Sequence, residues 1–148
     1  MDFLSPAERS RVMARVKSKD TTPEIVVRRL LHSMGFRFRL HTRNLPGTPD
    51  IVLPRHRKVV FVNGCFWHRH KGCKRASMPK SNVPFWRSKL RKNVRRQSLD
   101  IGELERMGWK VKIVWECDTR DPGALSRDLG QFLHRSKRAA YLPMKHNE

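Results

Sequence analysis

The stretch GCFWHRHKGC, residues 64–73, places two cysteines, two histidines and two aromatic rings within ten positions. Thiolates and imidazoles are ligands that tetrahedral Zn²⁺ prefers, and three thiolates with one imidazole form a closed structural site. The chain has three cysteines, Cys65, Cys73 and Cys117, and either His68 or His70 can complete the set. The spacing alone does not choose between the two histidines. The histidine that stays off the metal is free for another task, with an ordinary surface histidine as the alternative.

Two carboxylates draw attention in a chain with few acidic residues. Asp50 follows the turn sequence PGTP and begins an apolar segment, and Glu24 lies near the start of a predicted helix. Mg²⁺ binds through one or two carboxylates together with water and phosphate oxygens. The pair is therefore a candidate magnesium site, with an ordinary turn as the alternative for the Pro-Asp dipeptide.

The charge balance favours a polyanionic partner. Lys and Arg number 33 against 13 Asp and Glu, a net charge of +20 over 148 residues, which exceeds what solubility requires. We expect no membrane segment and no secretory signal, because no run approaches about 18 apolar residues and MDFLSPAERS lacks a basic-then-apolar layout. An odd number of cysteines in a His-containing pattern suits metal binding in a reducing, intracellular compartment.

The elements that position these residues follow from hydrophobic periodicity and from helix start and stop signals. Ser5 and Pro6 start a first helix, and Thr22 and Gly35 bound a second, amphipathic one. Strands are predicted for FRFRLH, DIVL, KVVFV and WKVKIVW, a long helix between Pro84 and Gly108, and a last helix from Pro122. The order ααβββαβα predicts one α/β domain, a small mixed central sheet flanked by helices.

A long helical crossover joins KVVFV to WKVKIVW, so we expect these two strands to be parallel and close in one sheet. The carboxyl ends of the two strands then lie at the same edge. Cys65 and Cys117 follow directly after those ends. This topology independently brings the third cysteine to the loop that carries the other two.

Two basic segments are candidate DNA-binding surfaces. Residues 1–20 form a predicted helical arm with few apolar residues, for which a solvated terminus is the alternative to a clamp on nucleic acid. Between Lys71 and Arg96 there are ten basic residues and no acidic one, interleaved with aromatic rings, a pattern typical of a phosphate-contacting surface. The individual candidates are Met13, Arg15, Lys17, Lys89, Lys92 and Asn93.

Five segments resemble the very-short-patch repair (Vsr) endonuclease family, bacterial enzymes that nick DNA beside a T:G mismatch. They are RSRVMARVKSKDTTPE, LPGTPDIV, VFVNGCFWHRHKGC, FWRSKLRKNVRRQ and LERMGWKVKIVWEC. The GCFWH core with the later WEC is the most specific part. The resemblance implies a restriction-endonuclease-like fold for residues 21–148 and action on double-stranded DNA in the bacterial cytoplasm, at the nucleoid.

The resemblance also implies roles for individual residues. By position, Asp50 is the catalytic magnesium ligand, His68 the catalytic histidine and Glu24 the acidic helix residue beside them. His70, rather than His68, joins the three cysteines on zinc. The side chains that match the family's inserted aromatic rings are Phe66, Trp67 and Trp86. The alternative for all three is ordinary core packing, and Trp86 also fits the apolar face of its predicted helix.

Two positions depart from the family pattern. Asn63 stands where many members have a histidine immediately before GCFWH, and an amide cannot shuttle protons near neutral pH. Val62 lacks a hydroxyl found in some members, although its backbone carbonyl remains a candidate magnesium ligand. The D/E-x-K signature of common restriction folds is also absent from VFVN. We therefore keep Asn63 as a site residue and expect a changed rate or pH profile.

Together these observations predict a magnesium-dependent, zinc-stabilised endonuclease in which His68 acts as general base. Its substrate is a T:G mismatch, such as one left by deamination of 5-methylcytosine, and mismatch-repair proteins are candidate partners of a monomeric enzyme. A sequence-specific restriction nuclease is one alternative. A catalytically silent, zinc-stabilised DNA-binding module is the other, and Asn63 keeps this alternative open.

Overall fold

The computed structural model describes the backbone of residues 20–144 and the side chains of residues 20–134. The elements are α1 (Thr22–Ser33), β1 (Arg39–Leu40), β2 (Ile51–Leu53), β3 (Lys58–Asn63), α2 (Val83–Arg106), β4 (Lys110–Trp115) and α3 (Pro122–Met144). Short 3-10 helices span Pro54–His56, Lys74–Ala76 and Glu116–Arg120. The predicted order is confirmed from its second helix onward. The predicted arm helix, with Met13, Arg15 and Lys17, lies outside the described residues.

The four strands form one mixed sheet in the order β1-β2-β3-β4. The first two pairs are antiparallel, and β3 pairs with β4 in parallel, with Asn63 opposite Trp115 at the last step. This confirms the parallel pairing that the helical crossover predicted. The residues that follow Asn63 and Trp115 therefore emerge at the same edge of the sheet.

The first strand is shorter than the alternation in FRFRLH predicted. Phe36 and Phe38 do pack on the core, but β1 pairs with β2 over two residues only. If the register continued, the partner of Arg37 would be Pro54, which has no N–H and opens a 3-10 helix. The ladder therefore ends before the phenylalanines, which are held by packing instead.

The predicted helix boundaries are close to the observed ones. Thr21, rather than Thr22, is the N-cap of α1, and its hydroxyl accepts a hydrogen bond from the Glu24 N–H at 3.4 Å. Gly35 and Gly108 follow α1 and α2 with φ of +86° and +95°, a conformation that favours glycine. Within the described range, none of the helices is both long and apolar enough to cross a membrane.

Both faces of the sheet are covered by helices. One face packs on α1 and α3 around the buried residues Val27, Leu31, Phe36, Ile51, Leu53, Val60, Val114, Leu125, Leu129 and Leu133. The other face packs on α2 around Val52, Val59, Phe61 and Leu104. Successive residues of β2 and β3 alternate between the two clusters, as strand geometry requires. This packing fixes α1 and α2 on opposite sides of the sheet edge where β3 and β4 end.

Candidate functional site

Four potential metal ligands converge just beyond the ends of β3 and β4. The ligand atoms of Cys65, His70, Cys73 and Cys117 all lie within 4.8 Å of one another. Parallel pairing of β3 with β4 explains why Cys65 and Cys117 meet, since each follows the end of its strand. Of the two histidines that the spacing left open, His70 is the one that lies with the cysteines.

The distances in this cluster match those of a tetrahedral zinc site. Sγ of Cys117 and Nδ1 of His70 are 3.5 Å apart. A tetrahedral ion with Zn–S of about 2.3 Å and Zn–N of about 2.0–2.1 Å separates two such ligands by about 3.5 Å. The His70 ring is oriented by Trp115, against which it stacks with an interplanar angle of 6° and a centroid distance of 4.1 Å.

The protonation chemistry of the three thiols also favours a bound cation. Burial raises the pKa of the Cys65 thiol to about 12 and raises the pKa of Cys117 as well. A backbone hydrogen bond from Arg75 lowers the pKa of Cys73. A divalent cation overrides such differences, because a coordinated thiol is deprotonated. The donor set therefore fits zinc, which would compensate for the burial of the thiolates.

A cleft of about 1180 Å³ opens beside this cluster. Its walls come from the start of α1, the loop before β2, the end of β3 and one face of α2. The predicted site residues that line it are Glu24, Asp50, Val62, Asn63, Trp67, His68, Lys89 and Asn93. The cleft thus brings together both candidate magnesium carboxylates and the candidate general base, whereas Lys92 is exposed on α2 outside this lining.

Asp50 is positioned by the backbone of the neighbouring strand. Its Oδ2 accepts a hydrogen bond from the Val62 N–H at 2.7 Å. Burial raises the pKa of Asp50 to about 6, against the lowering effect of that N–H, and the charge of Glu24 raises it further. A carboxylate that has lost much of its hydration gains more from a nearby divalent cation than an exposed one. The position of Asp50 therefore suits a metal ligand.

His68 lines the same cleft in a protonation state that suits a base. Burial lowers the pKa of its imidazole, and the charge of Arg96 lowers it further. The ring is therefore neutral at neutral pH and can accept a proton. The His68 N–H donates to the Gly64 carbonyl at 3.2 Å, so the backbone of the metal-binding loop holds the residue in place.

Glu24 is buried in a network that sequence reasoning missed. Its Oε1 accepts hydrogen bonds from the Asp20 N–H at 3.0 Å, from Arg28 at 3.1 Å and from His41 Nε2 at 3.0 Å. His41 directly follows β1, and a polar residue at a strand end was the only signal for it in the sequence. The network fixes the Glu24 carboxylate at the cleft wall.

Asn63 forms a reciprocal amide pair with Gln97 of α2. Asn63 Nδ2 donates to Gln97 Oε1 at 2.8 Å, and Gln97 Nε2 donates to Asn63 Oδ1 at 2.9 Å. Asn63 is only 2% exposed, so Gln97 is the group that satisfies its amide. One turn earlier in α2, Asn93 donates to the Trp67 carbonyl at 3.4 Å. Sequence reasoning missed Gln97, whose only signal is its spacing from Asn93.

We expect Gln97→Leu to lower the free energy of unfolding by about 1–3 kcal/mol, because the Asn63 amide would be buried without a partner. Urea denaturation with zinc present measures the change. Ser98→Leu places the same side chain at the next, exposed position of α2 and should change stability little. Equal unfolding midpoints for Gln97→Leu and Ser98→Leu would contradict the pairing.

Four aromatic rings form a cluster, and one of them, Trp67, lines the cleft. Ring centroids lie 5.1 Å apart for Phe66 and Trp67, 5.5 Å for Phe66 and Trp86, and 6.0 Å for Trp67 and Trp86. Phe66 and Trp67 are half-buried, whereas Trp86 is only 5% exposed. Phe85, which sequence reasoning missed, contacts Trp86 at 5.1 Å and is 53% exposed. The sequence signal for Phe85 was that Phe85-Trp86 repeats the dipeptide Phe66-Trp67.

One face of α2 presents polar and basic side chains to the cleft. Lys89, Asn93, Arg96 and Gln97 recur at three- or four-residue steps and all line it. Further exposed basic residues on the same helix are Arg87, Arg91, Lys92, Arg95 and Arg106. The carboxylates thus lie opposite a strongly basic helix, an arrangement that suits a polyanionic substrate held over a cation site.

Comparisons with known proteins agree with this arrangement. The family model for DNA mismatch endonuclease Vsr matches residues 1–75. The chain is 49% identical to the type II nicking enzyme V.XorIIP of Xanthomonas oryzae pv. oryzae, over 91% of this chain and 98% of that protein. It is 40% identical to the type II nicking enzyme V.NmeAIP of Neisseria meningitidis, over 93% of this chain and 98% of that protein. It is 41% identical to the DNA mismatch endonuclease Vsr of Escherichia coli, over 80% of this chain and 76% of that protein. This chain belongs to the Vsr family of DNA mismatch endonucleases.

Proposed function

We propose that this protein is a DNA endonuclease that nicks one strand of a duplex beside a T:G mismatch. The observation that carries the proposal is the presence of Asp50 and His68 in one cleft, which α2 lines with basic side chains and whose His68 belongs to the loop that carries the metal ligands. The mismatch endonuclease and the nicking enzymes among its relatives support a nuclease that cuts a single strand.

Zinc, on this proposal, has a structural role at Cys65, His70, Cys73 and Cys117. The four protein ligands leave no open position for a substrate. Bound zinc would tie the loop after β3 to the end of β4. Because His68 lies between two of the ligands in the chain, the same ion would restrict where its imidazole can move.

Magnesium is proposed at Asp50, with the Val62 carbonyl and Glu24 beside it. When bound, the ion would neutralise charge on the scissile phosphate and make an attacking water more acidic. The Val62 N–H orients the Asp50 carboxylate by holding Oδ2, which leaves Oδ1 for a cation. The Mg²⁺ preference for one or two carboxylates supports this pair.

The proposed proton acceptor is His68, kept neutral by burial and by Arg96. It takes the proton of the attacking water as general base. Asn63 has both ends of its amide engaged by Gln97, so its proposed contribution is to position the end of β3 rather than to move protons. The pair gives Asn63 a positioning role in the nuclease, so its lack of proton chemistry does not by itself favour the silent module.

The aromatic cluster is proposed to open the base stack at the mismatch. Unstacking one base step costs a few kcal/mol, and stacking on an aromatic ring returns about 1–3 kcal/mol per base. A T:G pair deforms more easily than a matched pair, so the balance favours mismatched DNA. Phe66 and Trp67 are partly exposed, whereas Trp86 must rotate out of its buried position. Its Nε1 makes no hydrogen bond to the described residues, so that rotation breaks none there.

The remaining proposals concern domain organisation and partners. Residues 1–20 form an arm that contacts DNA through Met13, Arg15 and Lys17, and residues 21–148 form one restriction-endonuclease-like nuclease domain. A carboxylate directly before β2 of a small mixed sheet supports this fold. Lys89, Lys92 and Asn93 are the proposed contacts from α2. We propose a monomer that works at the nucleoid, with mismatch-repair proteins as candidate partners.

The test compares labelled duplexes that differ only in a T:G or C:G pair at one position, with Mg²⁺ or with EDTA. We expect one nick, in one strand of the T:G duplex, and none in EDTA. Trp67→Ala should reduce the preference for T:G over C:G by about 5–150-fold, the equivalent of 1–3 kcal/mol of stacking. Leu99→Ala, at an exposed position of α2, should keep the preference.

Three outcomes would contradict the proposal in different ways. Cleavage of both strands of a fully paired duplex at a fixed sequence would identify a restriction nuclease. Binding of the T:G duplex with no cleavage in Mg²⁺ would identify a silent DNA-binding module. Equal nicking of T:G and C:G duplexes would retain the nuclease and remove the mismatch specificity.

A further inference from the structure

His41 is a cleft residue that contacts the segments carrying both candidate magnesium carboxylates. Its Nε2 lies 3.0 Å from Oε1 of Glu24 and 4.0 Å from Oδ1 of Asp50. Its backbone N–H donates to the Asp50 carbonyl at 3.2 Å. One residue therefore connects the buried carboxylate of α1 to the residue that precedes β2.

The backbone of His41 adopts an unusual conformation at this position. Its φ is +45°, in the left-handed region that residues with side chains rarely enter, although histidine enters it more readily than most. Such a conformation persists only where the surroundings hold it, and it occurs preferentially at functional sites. Here it follows the last residue of β1 and places His41 in the cleft lining.

The neighbouring charges indicate which role His41 can play. Asp20, Glu24 and His41 lie close enough together to suggest a second cation site. Arg28 already pairs with Asp20 at 2.6 Å and with Glu24 at 3.1 Å, and its positive charge opposes a cation there. The contacts of His41 instead extend the Glu24 network toward Asp50.

We propose that His41 is a positioning residue of the nuclease site, an inference that rests on the function proposed above. By donating to Glu24 while its ring lies beside Asp50, His41 holds the two carboxylates at a fixed separation. The two distances from Nε2 confine Glu24 Oε1 and Asp50 Oδ1 to within about 7 Å of each other. Asp50 and Glu24 are the residues that would hold Mg²⁺, which keeps several of its waters and so would not need both carboxylates as direct ligands.

The positioning role of His41 requires an N–H donor rather than a charge. A side-chain amide that is long enough can replace the imidazole N–H, whereas an apolar side chain cannot. The variants are therefore His41→Gln, which keeps a donor, and His41→Leu, which removes it. Leucine is strained at a positive φ, so His41→Leu changes the backbone as well as the donor. His41→Asn is therefore the third variant, because asparagine tolerates this conformation but is too short to reach Glu24.

The primary measurement is calorimetric titration of Mg²⁺ into the zinc-loaded protein without DNA. We expect His41→Leu and His41→Asn to weaken binding about 10–100-fold, the usual effect of losing a group that orients a metal ligand. His41→Gln should bind close to wild type. The nicking rate on the T:G duplex should fall in the same variants. The Mg²⁺ concentration that gives a half-maximal rate should change more than the rate at saturating Mg²⁺.

Each contrary result identifies what has failed. Equal Mg²⁺ affinity in wild type, His41→Leu and His41→Asn overturns the role of His41 and leaves the nuclease function intact. A loss in His41→Gln as large as in His41→Leu also overturns it, because the retained donor then has no effect. A wild-type protein that neither binds Mg²⁺ nor nicks the duplex overturns the proposed function, and this inference with it.

Discussion

We expect Asp50→Asn to lower the nicking rate by at least about 10³-fold while making the zinc-loaded, magnesium-free protein more stable at pH 8. The rate falls because a bound divalent cation supplies several kcal/mol of transition-state stabilisation, and about 1.4 kcal/mol is tenfold in rate. The stability rises because burial raises the pKa of Asp50 to about 6. Above that pH the folded protein holds a carboxylate in a place that disfavours its charge.

The direction of the pH dependence follows from proton linkage. The pKa of Asp50 is 3.8 for an unperturbed group and about 6 in the folded protein. Between those values the folded state binds more protons than the unfolded state, so stability falls as pH rises through this window. Above pH 6 the full penalty is present, about 1–3 kcal/mol for a shift of this size. Asparagine does not ionise, so the Asp50→Asn variant does not carry this free-energy penalty.

Urea denaturation at pH 4 and pH 8, with magnesium omitted and zinc retained, measures the effect. The difference between Asp50→Asn and wild type should be small at pH 4 and favour the variant at pH 8. Glu103→Gln removes an exposed carboxylate that pairs with Arg106 at the surface and should show little pH-dependent change. An active Asp50→Asn, or one less stable than wild type at pH 8, contradicts the prediction.

The second large effect separates the two histidines of the metal-binding loop. We expect His70→Gln to lose zinc, much of its stability and all measurable nicking, because it removes one of four ligands. Structural zinc contributes about 10–16 kcal/mol of binding free energy in small domains, and that energy is also folding energy. His68→Gln should keep near one zinc per chain and an unchanged melting temperature, and should still lose most of its activity.

Metal analysis, thermal unfolding and nicking of the T:G duplex are measured on both variants in parallel. Cys117→Ala gives the reference for zinc loss by a different ligand and should resemble His70→Gln. A zinc-loaded, active His70→Gln would remove His70 from the ligand set. If His68→Gln nicks at the wild-type rate, the proton acceptor is another group.

The parts of this structure that sequence reasoning predicted depend on local patterns and simple topology. Local sequence patterns predicted each α-helix and strand among the described residues but none of the three short 3-10 helices, and the crossover predicted that β3 and β4 run in parallel. That pairing was enough to bring Cys117 to Cys65 and Cys73. The choice between His68 and His70 did not follow from spacing, because both lie in the same short loop and only its folded path separates them.

The missed features depend on contacts between residues far apart in the chain. Asn63 and Gln97 are paired across 34 positions, and Glu24 and His41 across 17. Neither pair leaves a periodic signal, because a single hydrogen bond constrains two residues without repeating along the chain. Trp86 fits both an apolar helix face and an inserted ring in the sequence. In the structure it is buried among other rings, which only the packing of the metal-binding loop on α2 determines.

The two amides of α2 have a mechanical consequence. Gln97 is hydrogen-bonded to Asn63 at the end of β3, and Asn93 is hydrogen-bonded to the backbone carbonyl of Trp67, next to His68. Hydrogen bonds therefore couple the helix to the end of β3 and to the metal-binding loop. On the function proposed above, a duplex that displaces α2 would also displace His68, so misplaced binding would lower the nicking rate.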